Sequence, residues 1–197
     1  MGNSNPKDEI YRRIRMKGPI TFAEFQSVAL YSPDGGYYVK QSPFGIEGDF
    51  YTAPHLHPVF GALLSLQIVQ MWGNLLKPKP FWLIELGAGS GRMATDVIDS
   101  LERVSQECIE NLRYLAVDVS SPPQSLNPKI QWIQTSGFPD VQFSGCVFAN
   151  EFLDAMPVHR VTIKDGQLYE LYVDVDEEGA FTETVGTPST GAIAERF

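Results

Sequence analysis

A chain of 197 residues, 43% of them hydrophobic, suffices for one domain with additions and for a sizeable core. Its formal net charge of −9 argues against nucleic acid as the main partner, because phosphate binding needs clustered Lys and Arg. An acidic surface is compatible with a basic protein partner. Cys108 and Cys146 are the only cysteines, which gives no disulfide framework and fits a reducing compartment. Cys146 lies in an apolar run and is expected to be a small core residue. No stretch approaches transmembrane length, and the N-terminus shows no apolar signal core. Met1-Gly2 hints at myristoylation, but Pro6 stands where Ser or Thr is required. His55, His57 and His159 have no cysteine or acid at metal-ligand spacing, so no metal is expected.

Along the chain, residues 7–31 read as two helical pieces broken at Gly18-Pro19. Thr21 is an N-cap and Glu24, three residues on, completes a capping box. Residues 40–58 are rich in Gly and Pro and read as a long loop or lid. Residues 58–76 form a helix that is apolar nearly all round and expected to be largely buried. Phe81–Leu86 is a buried strand, ending in Glu85 and opening into Gly87-Ala88-Gly89-Ser90-Gly91. An amphipathic helix follows over 92–106, with Met93, Val97, Leu101 and Val104 on one face. Residues 112–118, 130–133 and 145–150 make three more strands, and such alternation implies a mostly parallel sheet. From 157 the pattern changes to a hairpin, 158–164 and 167–174 around Asp165-Gly166, with a further strand near 180–185.

The polar residues cluster where these strands end. A strand, a glycine-rich turn and a helix set backbone N–H groups around a ligand, and glycines let it approach closely. The dinucleotide fingerprint is G-x-G-x-x-G, and here Arg92 occupies the third glycine position. Glu85-x-Gly87-x-Gly89-x-Gly91 after a hydrophobic strand is the pattern of S-adenosylmethionine (SAM) methyltransferases. Asp118 ends the second strand, where an acid can accept both ribose hydroxyls of an adenosine cofactor; the alternative is a helix N-cap. Ser136, just past the third strand, is either near the adenine or part of an ordinary loop. Asn150, Glu151 and Asp154 follow the fourth strand, where methyltransferases hold the acceptor; Asn150 and Asp154 could instead cap a short helix.

The runs Gly18-Pro19-Ile20-Thr21-Phe22, Tyr31-x-Pro33-x-x-Gly36-Tyr37-Tyr38, Gly48-Asp49-Phe50-x-Thr52-x-Pro54, Glu85-Leu86-Gly87 and Asn150-Glu151-x-x-Asp154-Ala155-x-Pro157-Val158 occur together in one order. In that order and spacing the chain resembles the MidA-type SAM-dependent methyltransferases. It departs from them at Ala53-Pro54-His55, where many members have Ser-Pro-Glu, and members extend well past the matched stretch. The resemblance implies an α/β fold: a Rossmann-like class I methyltransferase sheet with an N-terminal helical extension and a C-terminal β-hairpin. The expected organisation is a helical cap and loop over 1–76, a SAM-binding core over 77–164 and a hairpin with the start of a substrate-side region over 165–197. It implies SAM as cofactor, held by Gly48, Asp49, Thr52, Glu85, Gly87, Gly89, Gly91, Asp118 and Ser136. Methyl transfer would go to a protein, at an arginine of a respiratory-complex-type partner, with Asn150, Glu151 and Asp154 as catalytic residues. The loop at Gly48-Asp49-Phe50 would close over the methionine end of SAM. A bacterial cytoplasm is the expected compartment ahead of a mitochondrial matrix, and homodimerisation is left open. Two rivals remain at this stage: a dinucleotide-dependent oxidoreductase, disfavoured by the glycine spacing, and a SAM-binding assembly protein without turnover.

Overall fold

The computed structural model describes residues 5–40, 57–138, 140 and 142–196. It divides into two compact units, Met1–Gln41 with Ala155–Phe197, and Ser42–Asp154.

In the first unit, helix α1 spans Pro6–Lys17; Asn5 caps it by accepting the Asp8 N–H, and Gly18 ends it at φ 81°. Strand β1 (Ile20–Thr21) leads directly into α2 (Phe22–Tyr31), whose first turn is capped by Thr21 Oγ1 accepting from Glu24 N–H at 3.1 Å. Only that half of the expected capping box forms. The Glu24 carboxylate turns instead to Arg13 and Lys17 on α1, at 2.9 and 2.6 Å. A single turn, α3, follows at Tyr37–Lys40.

The expected hairpin is present as β6 (Arg160–Lys164) and β7 (Gln167–Val175), joined at Asp165-Gly166 with both φ angles positive. That is the turn whose twist matches paired strands. The hairpin is the middle of a larger antiparallel sheet. Strand β8 (Phe181–Gly186) pairs with β7, and β1 joins it through Ile20–Val173 and Thr21–Tyr172. Ile10, Ile14, Ile20, Val28 and Val173 form the core beneath, with Phe22 and Phe25 packed against them. A last turn of helix, α7, spans Gly191–Ala194.

The second unit begins its described part with α4 (Val59–Asn74), followed by β2 (Phe81–Leu86), α5 (Arg92–Val104), α6 (Gln106–Asn111), β3 (Leu112–Asp118), β4 (Ile130–Gln134) and β5 (Gly145–Ala149). The four strands are all parallel, in the order β4-β3-β2-β5. The helix expected to run to 106 stops at 104. Ser105 adopts an extended conformation and its Oγ accepts the Cys108 N–H, starting α6.

Helix α4 corrects the expectation of a largely buried element. It turns Gly61, Ser65, Ile68 and Trp72 inward and leaves Val59, Leu63, Leu66 and Met71 exposed. A helix sequence apolar nearly all round says little about how many of its faces have neighbours. Gly61 sets the approach of α4 to α5: a Cβ there would stand 2.6 Å from Asp96 Cβ and 3.1 Å from its carbonyl carbon.

The two faces of the sheet follow residue parity. Phe81, Leu83, Tyr114 and Ala116 join Trp72, Val97 and Leu101 in the larger core, with Phe148 packed against it. Ile84, Leu115 and Val117 form a smaller cluster with Trp82, Leu86 and Phe143. Glu85 has the parity of Phe81 and Leu83, and stands in register with Ala116 on one side and Phe148 on the other. Its carboxyl is therefore carried onto the apolar, helix-side face.

Candidate cofactor site

Strand register brings most of the residues singled out by the sequence to one end of the second unit. Leu86 pairs with Val117 and Ala149, and Asp118 with Gln134. The carboxyl ends of all four strands thus lie side by side, where parallel sheets bind ligands. The glycine turn leaves β2, Asp118 ends β3, Ser136 follows β4 in an exposed loop, and Asn150, Glu151 and Asp154 follow β5. Gly48, Asp49 and Thr52 lie outside the described residues.

The turn is built by its backbone. Gly87 and Ala88 donate N–H bonds to the Val117 carbonyl, and Gly91 N–H donates to Ala88 O. Gly87, Gly89 and Gly91 all have positive φ, 71°, 55° and 70°. At Gly87 there is no room as well: a Cβ would lie 2.6 Å from Phe152 Cδ2. Around Gly89, by contrast, a Cβ would meet nothing within 4 Å, so the space beside the middle of the turn is open. Gly91 caps α5 and its carbonyl accepts from both Thr95 N–H and Thr95 Oγ1.

Asp118 is tied into this turn. Its Oδ2 accepts Gly89 N–H at 2.8 Å, and its Oδ1 accepts Ser120 N–H and hydroxyl at 2.8 and 2.7 Å. The Ser120 bonds are the local turn that a capping residue makes. The bond to Gly89 links two strand ends, and a carboxylate retains lone pairs for further donors.

Glu85 is a strongly perturbed group of the site. It is 1% exposed, and among the described residues its one hydrogen bond comes from Tyr114 O–H, 2.7 Å from Oε2. Tyr114 is itself fully buried and meets the Phe148 ring edge to face at 6.4 Å. Burial pushes the Glu85 carboxyl up to about 7; the tyrosine hydrogen bond works against this and the nearby Asp118 charge reinforces it. The Tyr114 hydroxyl is raised well above its ordinary range by the same burial and by Glu85. Sequence reading did not single out Tyr114. The signal available was parity: a tyrosine on a buried strand needs a partner for its hydroxyl, and the acid sits on the same face of the next strand.

Past β5 the backbone is strained, with Glu151 at φ 50°. Strain of this kind collects at binding sites. Phe152 then lays its ring on Gly87, and Leu153–Ala155 forms one 3-10 turn. Among the described residues, the side chains of Asn150, Glu151 and Asp154 make no cap or other hydrogen bond, so the helix-capping alternative finds no bond to support it.

These residues fit a cationic nucleoside cofactor. Two acids, Glu85 and Asp118, bracket the turn, and Arg92, the one cation beside it among the described residues, lies 3.9 Å from Asp96. A diphosphate would face those acids unfavourably, whereas a sulfonium and an ammonium would be attracted. A shallow groove near Pro78, Trp82 and Phe143 lies at the opposite, amino end of the strands and has no part in this cluster.

Comparison with known proteins agrees with this chemistry. Residues 63–197 match the family described as "Putative S-adenosyl-L-methionine-dependent methyltransferase". A protein arginine methyltransferase NDUFAF7 homolog of Drosophila melanogaster is 31% identical over 88% of this chain and 46% of its own length. Human NDUFAF7, also a protein arginine methyltransferase, is 28% identical over 84% of this chain and 44% of its own. A crystal structure of a Burkholderia thailandensis protein bound to S-adenosyl-homocysteine superposes with a TM-score of 0.79 at 27% identity, covering 97% of this chain and 52% of that one. The chain therefore spans about half the length of these relatives. The motif resemblance and the Rossmann-like α/β fold are both supported, and the chain belongs to the family of SAM-dependent methyltransferases.

Proposed function

We propose that this chain provides the SAM-binding part of a protein methyltransferase, with an arginine side chain as the methyl acceptor. The observation that carries the reading is the cluster at the strand ends: an open glycine turn bracketed by Glu85 and Asp118, with three polar side chains at the end of the adjoining β5 that are unpaired among the described residues. The relatives named as protein arginine methyltransferases support a protein acceptor. A respiratory-complex subunit, a homodimer and a cytoplasmic setting belong to the same proposal.

The cofactor supplies an activated methyl group on a sulfonium, and the chain's residues align and shield it. Gly89 leaves room for close approach, and Asp118, which holds the turn, is assigned to accept ribose hydroxyls. A guanidinium is always charged and hence a poor nucleophile. Glu151 and Asp154 are assigned to pair with it, keeping charge on two nitrogens and freeing the third, while Asn150 orients it. Such alignment is worth more to a displacement reaction than a strong acid. The cofactor-binding role expected of Gly48, Asp49 and Thr52, which lie outside the described residues, belongs to the same proposal.

The test is titration with S-adenosylhomocysteine (SAH) by calorimetry, using the wild type, Gly89→Val and Asp118→Ala. Binding that both substitutions weaken at least tenfold is expected. A folded wild-type chain that does not bind would overturn the reading. Wild-type binding without methyl transfer to any arginine-containing protein would leave an assembly role in place of catalysis.

A further inference from the structure

Glu85 carries more information than a place in a glycine motif. It is a carboxyl at the end of a central strand, 1% exposed, on the face that packs against helices. Among the described residues, no element around it offers a cation. Strand β3 offers Tyr114, which donates the single hydrogen bond, and Asp118, which repels the anion. Strand β5 offers Phe148 in register, with the Cys146 thiol two residues back opposite Leu83. Helix α4 has no charged residue in its whole length. Helix α5 turns Met93, Ala94 and Val97 inward, and its Arg92 and Asp96 face each other. A buried carboxylate without a cation is unfavourable, and the group responds by keeping a proton. The turn that follows Glu85 is where a cofactor whose methionine end carries an ammonium would arrive.

We propose that cofactor binding is coupled to release of a proton from Glu85, with Tyr114 as the positioning residue that holds the carboxyl toward its ionised form. This rests on the SAM-binding reading above. On binding, the cation of the cofactor takes the place of the carboxyl proton, which leaves to solvent. The Tyr114 hydroxyl keeps its own proton and donates to Oε2 throughout. The burial of Glu85 then has a purpose: an exposed acid at this place would be ionised already and would attract the cofactor no more at high pH than at low pH.

The experiment is SAH calorimetry on the wild-type chain at a series of pH values, each in two buffers of different ionisation enthalpy, which counts protons. With the carboxyl near half-protonated at pH 7, about half a proton per SAH should leave at pH 7, approaching one at pH 6 and almost none by pH 8.5. Affinity should weaken by about tenfold per pH unit below 7 and level off above it. In Glu85→Gln the proton release should vanish. In Tyr114→Phe the turnover point of the affinity profile should move to higher pH, with affinity at pH 8.5 changed by less than about threefold; a purely structural role for Tyr114 would instead weaken binding equally at every pH. SAH binding with no proton release, or release that survives Glu85→Gln, would overturn the proposal and leave the SAM reading standing. Failure of the folded wild type to bind SAH at any pH would overturn both. The proton count on the wild type needs no variant to fold.

Discussion

Replacing Glu85 by Gln should make the protein gain stability relative to the wild type as pH rises through neutrality, and the size follows from the burial of the acid. The carboxyl is raised from 4.5 to about 7 in the folded chain. Between those values the unfolded chain has lost its proton and the folded chain still holds it. Stability therefore falls as pH rises from 4.5 to 7, and is flat for this group above 7. At 1.36 kcal/mol per unit the full loss is about 3 kcal/mol. Glutamine keeps the shape and can still accept from Tyr114 O–H, but it does not titrate. Urea unfolding of both proteins at pH 4.5 and pH 8 should show the variant gaining on the wild type by about 3 kcal/mol between the two conditions. The difference between pH values is the diagnostic quantity, since any packing cost of the amide is common to both. A gap that stays constant within about 0.5 kcal/mol would mean that Glu85 is not buried and uncompensated as described, and the proton coupling would go with it.

Gly87→Ala should cost about 2–4 kcal/mol by thermal or urea unfolding, combining a positive φ of 71° with the clash against Phe152. Adding Phe152→Leu should recover the steric part only. In the first unit, Glu170 is fully buried, and its carboxylate accepts from His159 Nδ1 and Ser189 N–H, both at 2.6 Å. Burial works to raise it, and these bonds hold it below the ordinary range. Glu170→Ala should lower stability by about 2–4 kcal/mol at pH 7, with a smaller loss as pH falls and the wild-type carboxylate is protonated; a loss below about 0.5 kcal/mol would refute this. Cys108 is fully enclosed, with its thiol pushed up to about 11 by burial. A thiol reagent at pH 8 should label Cys146 first and reach Cys108 only at the rate of unfolding; equal rates would contradict the packing of α6.

Local signals carried far in this chain where one face of one element settles the outcome. The strand at Leu112–Asp118 ends where the apolar run predicts, and the five buried residues of α5 follow helical spacing. The glycine turn was legible because positive φ and close approach restrict residue type at single positions, independently of distant contacts. The four strand ends could be placed together because a βα alternation leaves a parallel sheet few ways to close. The site residues on β2, β3 and β5 were named from that rule, and register alone then sets them side by side.

Only the tertiary structure decided the rest, because it depends on partners far away in sequence. Strand β1 has two residues and pairs with β7 more than 150 positions later, and no short-range pattern encodes that choice. Helix α4 is uncharged and apolar nearly all round, so its sequence could not say which face would find α5. Glu24 suits a capping box, yet two cations on α1 compete for its carboxylate and win. Glu85 reads as an acid in a motif; its charge state is set by burial, against which the hydrogen bond from the tyrosine of a neighbouring strand works, and by the nearby Asp118 charge. Periodicity and turn chemistry are written residue by residue. Burial and electrostatics are sums over the neighbours that folding supplies.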